Sequence, residues 1–251
     1  NAATQHSSTT FSVDKTAPTI SGVTASWGSV LNSIEDNSNG TVTIATSGAE
    51  DGQTVTLVLN SKSYTGTVSS NTTSITVPAA DLQALSESST YTLSADVSDA
   101  AGNAATQHSS TTFSVDKTAP TAVLSSVADD VGSVVGNLSS GQTTDDTAVV
   151  ITGTNEAGST VDVYSGTTKL GAATVNGTNW TYEATLSDGT SYALNAIETD
   201  AAGNPSSATS NLTVIGDTTA PTISGVTASW GSVLNSIEDN SNGTVTIATS
   251  G

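Results

Sequence analysis

Twenty-three carboxylates against four basic side chains, all of them Lys, give this 251-residue chain a formal net charge of −19. Sixteen of the acids are Asp and seven are Glu, so the charge sits in turn-forming residues rather than helix formers. Carboxylates in turns suit a hard cation, and Ca²⁺, with six to eight oxygen ligands, is the ion expected here. The acids recur in three kinds of segment. Asp14 and Asp116 open DKTAPT, with Asp217 opening DTTAPT; Glu50-Asp51 and Glu156 stand in Gly-containing loops; Asp99 and Asp200 open DAAGN. A separate quartet, Asp129, Asp130, Asp145 and Asp146, flanks a Gly-rich stretch. Four carboxylates so close in sequence repel one another unless a cation joins them, which makes the quartet a second expected Ca²⁺ site, with a solvated acidic loop as the alternative.

Other chemistries fit poorly. Without Cys there is no thiolate metal site. Four Lys offer almost no counter-charge to phosphate, so nucleic acid is not an expected partner. Ser12 to Lys15 and Ser114 to Lys117 match the S-x-x-K spacing of acylating enzymes, but residues three apart on a strand point to opposite faces. Glu35 to Gly40 resembles the start of an EF-hand loop, yet its twelfth position is Thr46, not Glu. His6 and His108 are one residue of a repeat seen twice, expected on a solvent-exposed polar strand or loop, and Trp27, Trp180 and Trp230 are expected as core or half-buried anchors. No enzyme activity is expected.

What positions the acids is a repeat. Asn1 to Thr19 recurs identically at Asn103 to Thr121, and Thr16 to Gly48 at Thr219 to Gly251. The predicted domains are therefore the final strand of a preceding repeat at 1–15, one repeat at 16–117, a related repeat at 118–218, and the opening strands of a following repeat at 219–251. The pattern starts and stops inside a unit, which predicts a longer array, and the partial ends are expected to fray or to pair with another copy.

Period-2 alternation predicts strands at Thr41–Ile44, Thr54–Leu59, Ser74–Val77, Tyr91–Val97 and Thr111–Val115. It repeats at Val149–Ile151, Val161–Tyr164, Trp180–Tyr182, Tyr192–Ala196 and Leu212–Val214, with one helical turn at Ala79–Leu85. About seven strands per hundred residues, punctuated by Gly, Asn and Asp, predict an all-β fold of tandem immunoglobulin-like antiparallel β-sandwiches in an extended array. Tyr91 and Tyr192 open the penultimate strands, where a tyrosine corner belongs. In such a sandwich the entering chain, the second-to-third strand loop and the last hairpin loop share one end. Asp14, Glu50 and Asp99 are thereby expected together, and likewise Asp116, Glu156 and Asp200, with Asn103 and Asn204 carbonyls at hand.

DKTAPT, DTTAPT, DAAGN and the run DDVGSVVGNLSSGQTTDDT resemble the bacterial immunoglobulin-like repeats of giant type I-secreted surface adhesins of the RTX, biofilm-associated kind. The resemblance covers the whole chain. It implies an extracellular, cell-surface protein whose repeats are non-enzymatic stalk spacers, stiffened by Ca²⁺ at their linkers and supporting attachment and biofilm formation. Its partners would be neighbouring repeats, with no membrane insertion; the alternative is a module that itself grips carbohydrate or host protein. The first repeat departs from the pattern, having Ser26, Trp27, Asn39 and Gly40 about where the second has its Asp quartet, so a site there is expected only in the second.

Overall fold

Thr, Ser and Val alternate through most of the chain, and the β-branched members favour extended backbone with one face turned to a core. The computed structural model describes residues 9–132 and 135–250, with Ser109 and Ser110 described by backbone alone. His6 lies outside the described residues, as does 1–8 of the expected tail strand, while 9–18 carries no strand. Two compact units form: Asn1–Pro120 with Thr199–Pro205, and Thr121–Glu198 with Ser206–Gly251.

The first unit runs β1 (Thr19–Ala25), β2 (Val30–Leu31), β3 (Gly40–Ser47), β4 (Thr54–Leu59), β5 (Lys62–Thr67), β6 (Thr72–Val77), α1 (Ala79–Gln83), β7 (Thr90–Val97) and β8 (His108–Val115). Its two sheets have the orders β1-β3-β6 and β2-β8-β7-β4-β5. The pairs are antiparallel except β2 with β8, which is parallel. Val42, Ile44, Leu57, Ile75, Leu93 and Phe113 face inward between the sheets. Trp27 packs edge-on against Phe113, ring centroids 5.3 Å apart, over Gly40, where a Cβ would stand 2.4 Å from the indole.

The second unit repeats the plan with β9 (Val123–Asp129), β10 (Gly136–Asn137), β11 (Gln142–Thr144), β12 (Ala148–Thr154), β13 (Thr160–Ser165), β14 (Thr168–Ala172), β15 (Thr174–Asn176), β16 (Asn179–Thr185), β17 (Ser191–Thr199) and β18 (Leu212–Gly216). The sheet orders are β10-β9-β12-β16-β15 and β11-β18-β17-β13-β14. Its core gathers Val127, Val149, Ile151, Val163, Trp180 and Leu194.

β19 (Thr222–Ala228) and β20 (Val245–Ser250) form a hairpin with the register of β1 and β3, including the same irregularity at Ile223/Gly225. Val226 and Ile247 are 63% and 56% exposed, whereas their identical counterparts Val23 and Ile44 are buried. Every strand predicted within the two repeats is present, as is the helical turn, whereas the tail strand expected at 1–15 is not formed over 9–15, where no partner strand of its own repeat is at hand. Both tyrosine corners close. The Tyr91 hydroxyl accepts from Ser86 N at 2.9 Å and Tyr192 from Ser187 N at 3.0 Å. His108 is half-buried rather than exposed, because it opens β8 opposite Ala95. Among the described residues no helix is long and apolar enough to cross a membrane.

Candidate metal centre

In DAAGN the Asp carboxylate is a template for its own turn. Asp99 accepts from Asn103 N at 2.7 Å through one oxygen and from Asn103 Nδ2 at 2.8 Å through the other, and Gly102 takes φ +90°. Only Gly adopts that backbone freely, which explains its place in the motif. Asp200 repeats the geometry with Asn204 at 2.8 and 2.9 Å and Gly203 at φ +96°.

The same Asn reaches back to the entering chain. Asn103 Nδ2 donates to the Asp14 carbonyl at 3.3 Å, and Asn204 Nδ2 to that of Asp116 at 3.0 Å. Glu50 joins the first group through Oε2, which accepts from Ala100 N at 2.8 Å. The structure thus brings Asp14, Glu50 and Asp99 to one end of the first unit, and joins Asp116 to Asp200. Glu156 belongs to the second unit, where it is exposed. The Asn204 side-chain oxygen Oδ1, expected to be available to a cation, accepts from Ser33 N at 2.8 Å, and its backbone carbonyl accepts from Asp200 N at 3.1 Å. Asp14, Asp116 and Asp217 each also cap their own turn, accepting from the backbone N–H two residues on.

Burial divides these acids. Asp99 is buried, and the Asn103 amide in particular, with three backbone N–H groups, holds its carboxyl below the usual aspartate range, whereas Asp14 and Glu50 are exposed. In the second unit Asp129 and Asp146 are buried, with Asp130 and Asp145 exposed. Thr144 Oγ1 donates to Asp129 at 2.6 Å, Ala148 N to Asp146 at 2.7 Å, and Asp130 N to Asp146 at 3.5 Å. Backbone and hydroxyl donors thus already serve the buried carboxylates of Asp129 and Asp146. Among the described residues no three His, Cys, Asp or Glu side chains form a ready metal cage. Glu35 and Asp36 lie in a 3-10 turn, Asp36 paired with Lys117 at 3.1 Å, so the EF-hand likeness ends at the sequence.

Two acids outside the expected set hold the outgoing chain. Glu87 accepts from Lys117 N at 2.8 Å and Thr118 Oγ1 at 3.2 Å; Asp188 accepts from Thr218 N at 2.6 Å and Thr219 Oγ1 at 2.9 Å. They occupy corresponding positions ahead of the penultimate strand, the one signal that could have found them. The Thr218 N–H, helped by Thr219, pulls the Asp188 carboxyl below its ordinary range. A depressed folded value means this contribution is complete above the unfolded aspartate range and is lost as the pH falls through the folded one. Thermal unfolding of the chain is expected to fall more between about pH 7 and pH 3 than that of Asp188→Asn. Equal falls would remove Asp188 from the acid response.

A third acid outside the expected set is Glu198, which is fully buried in the second unit. Its Oε2 and the Oδ1 of buried Asn155 lack any partner. Orphaned buried oxygen acceptors of this kind fit a hard cation better than the already hydrogen-bonded carboxylates of Asp129 and Asp146 do.

The bacterial Ig-like domain family matches residues 118–218, and its group 3 matches residues 1–114. Chitinase A1 of Niallia circulans is 34% identical over 222 residues, 84% of this chain and 28% of that protein. Exoglucanase B of Cellulomonas fimi is 39% identical over 131 residues, 50% of this chain and 11% of that protein. The chain thus spans about a quarter and a tenth of these two relatives. Among solved structures, a Ca²⁺-stabilized adhesin with which an Antarctic bacterium binds ice is 26% identical, with a TM-score of 0.47, over 86% of this chain and 53% of that one. Repeat, sandwich and corner agree with the family match: the chain belongs to the bacterial immunoglobulin-like domains.

Proposed function

We propose that this chain is a non-enzymatic extender: tandem immunoglobulin-like modules of a large bacterial surface adhesin, extracellular, stiffened by Ca²⁺ where chain enters and leaves a module, and serving attachment and biofilm formation. The observation that carries this reading is the repeated clamp on the linker. The last-hairpin Asn takes the incoming Asp carbonyl, and Glu87 or Asp188 takes the outgoing Thr. Family membership and near-identical repeats support it. Asp14, Glu50 and Asp99, and Asp116 with Asp200, would hold the ion, which would neutralise their mutual repulsion and fix the linker backbone. The chitinase and exoglucanase relatives favour a second reading, the same spacer role inside a larger polysaccharide-acting enzyme.

Extracellular calcium modules have affinities of roughly 10⁻⁴ to 10⁻³ M. At ten times Kd, one site adds about 1.4 kcal/mol, or several degrees for a module of this size. Ca²⁺ is therefore expected to raise the melting temperature reversibly and to narrow the distance distribution in small-angle scattering. Asp116→Ala should lose most of the narrowing and little of the stability. Coincident melts and scattering curves in Ca²⁺ and in EDTA would overturn the stiffening.

A further inference from the structure

Glu198 stands where the first module has Val97, and Asn155 where it has Ala49. Both counterparts follow from aligning DAAGN with DAAGN and Glu50 with Glu156. All four side chains are buried: Ala49 6% and Val97 3% exposed, Asn155 7% and Glu198 0%. One module therefore fills this place with two apolar side chains, and the other with an amide and a carboxylate. Polar groups enter a core at a cost unless something compensates them.

Compensation inside the protein is incomplete. Glu198 Oε1 accepts from Glu156 N at 2.6 Å and from the Ser159 hydroxyl at 2.5 Å. Asn155 Nδ2 donates to Glu156 O at 2.6 Å, Ser159 Oγ at 3.2 Å and Gly177 O at 3.3 Å. Glu198 Oε2 and Asn155 Oδ1 are left without partners. Their two groups lie within one hydroxyl of each other, since both bond Ser159 Oγ. Among the described residues the ion pairs engage Lys62, Lys117 and Lys169, none of them with Glu198. A hard cation would be ligated by both orphaned oxygens at once, and oxygen-only ligation is what Ca²⁺ takes.

We propose that the second module holds a Ca²⁺ ion between Glu198 Oε2 and Asn155 Oδ1, with the exposed Glu156 carboxylate of the same loop as a third ligand, and that the first module lacks this site. This intramodule ion pins the 155–159 loop onto β17, and it is independent of the ions proposed at the linkers.

The 251-residue chain is titrated with CaCl₂ calorimetrically, and with Tb³⁺ read by luminescence sensitised through Trp180. The Trp180 indole donates to Thr154 O at 3.2 Å, one residue from Asn155. Ca²⁺ is expected to displace the sensitised Tb³⁺, and Glu198→Gln to weaken Ca²⁺ at this site at least tenfold. The double variant Asn155→Ala with Glu198→Val reproduces the first module's packing, so it should fold and bind one Ca²⁺ fewer. Asp116→Ala should keep the site, which separates its failure from that of the linker reading. Equal Ca²⁺ stoichiometry and affinity in wild type and double variant would overturn the proposal, as would a wild-type chain that takes up no Ca²⁺.

Discussion

Trp180→Ala is expected to cost the second module about 3–5 kcal/mol, the range for removing a buried Trp. The indole is 1% exposed and central to a core that, apart from it, is built of Val, Ile, Leu and Ala. Its place is prepared by Gly153, its partner in register on β12: a Cβ there would lie 2.3 Å from the indole and 2.0 Å from the Val123 carbonyl. Deleting the ring therefore empties a slot that neighbouring backbone cannot close, and strands the Thr154 carbonyl that the indole N–H serves. Against a total of about 5–15 kcal/mol for a domain, that loss takes a large share of the margin. Calorimetry should show the second module melting roughly 15–30 °C lower while the first is unmoved. Gly153→Ala should act in the same direction by overfilling the same slot. A melt lowered by only a few degrees would show that the module relies on its sheets more than on its Trp.

Much of this was legible because it is local. The segment shared by Thr16–Gly48 and Thr219–Gly251 makes the point within one chain. It builds the same hairpin register, the same 3-10 turn and the same Trp-over-Gly contact in both places. Those features are written in 33 residues; burial is not, because Val226 and Ile247 have no opposing sheet and Val23 and Ile44 do. Alternation revealed strands with one committed apolar face. It missed β1, β2, β5, β10, β11, β14 and β15, which lie at sheet edges where only one ladder is needed, and also β9, an interior strand whose Ser125, Ser126 and Ala128 weaken the alternation.

The candidate site divides the same way. DAAGN could be read from its letters because Asp, Gly and Asn close their own turn. The Glu87 and Asp188 clamps left only their matching positions ahead of Tyr91 and Tyr192 as a trace, since each joins segments about thirty residues apart. Glu198 left a trace that went unused. Tyr192, Leu194, Ala196 and Glu198 share one face of β17, so the period that buried Leu194 buried a carboxylate too.

Lys117→Met is expected to destabilise the first module by about 2–4 kcal/mol, the larger part from a carboxylate left buried without its partner. Lys117 Nζ lies 3.1 Å from Asp36, with only 18% and 9% of the two side chains exposed, so solvent screens the pair weakly. It also donates to the carbonyls of Leu82, Gln83 and Leu85 at 3.3, 3.1 and 3.1 Å, serving the C-terminal end of α1, where a cation is favoured. Met keeps the length and the apolar stem, so the measured loss reports the ammonium rather than a cavity. Asp36→Asn should recover part of that loss in the double variant, because the stranded charge goes with it. The terminal hairpin supplies the control: Asp239 occupies the same turn in an identical segment but is exposed. Asp239→Asn should accordingly leave the melting temperature unchanged, while Asp36→Asn lowers it. If the two Asn variants behave alike, the Lys117–Asp36 contact contributes no more than an exposed pair such as Lys62–Asp81, whose lysine is 59% exposed and for which about 0–1 kcal/mol is typical.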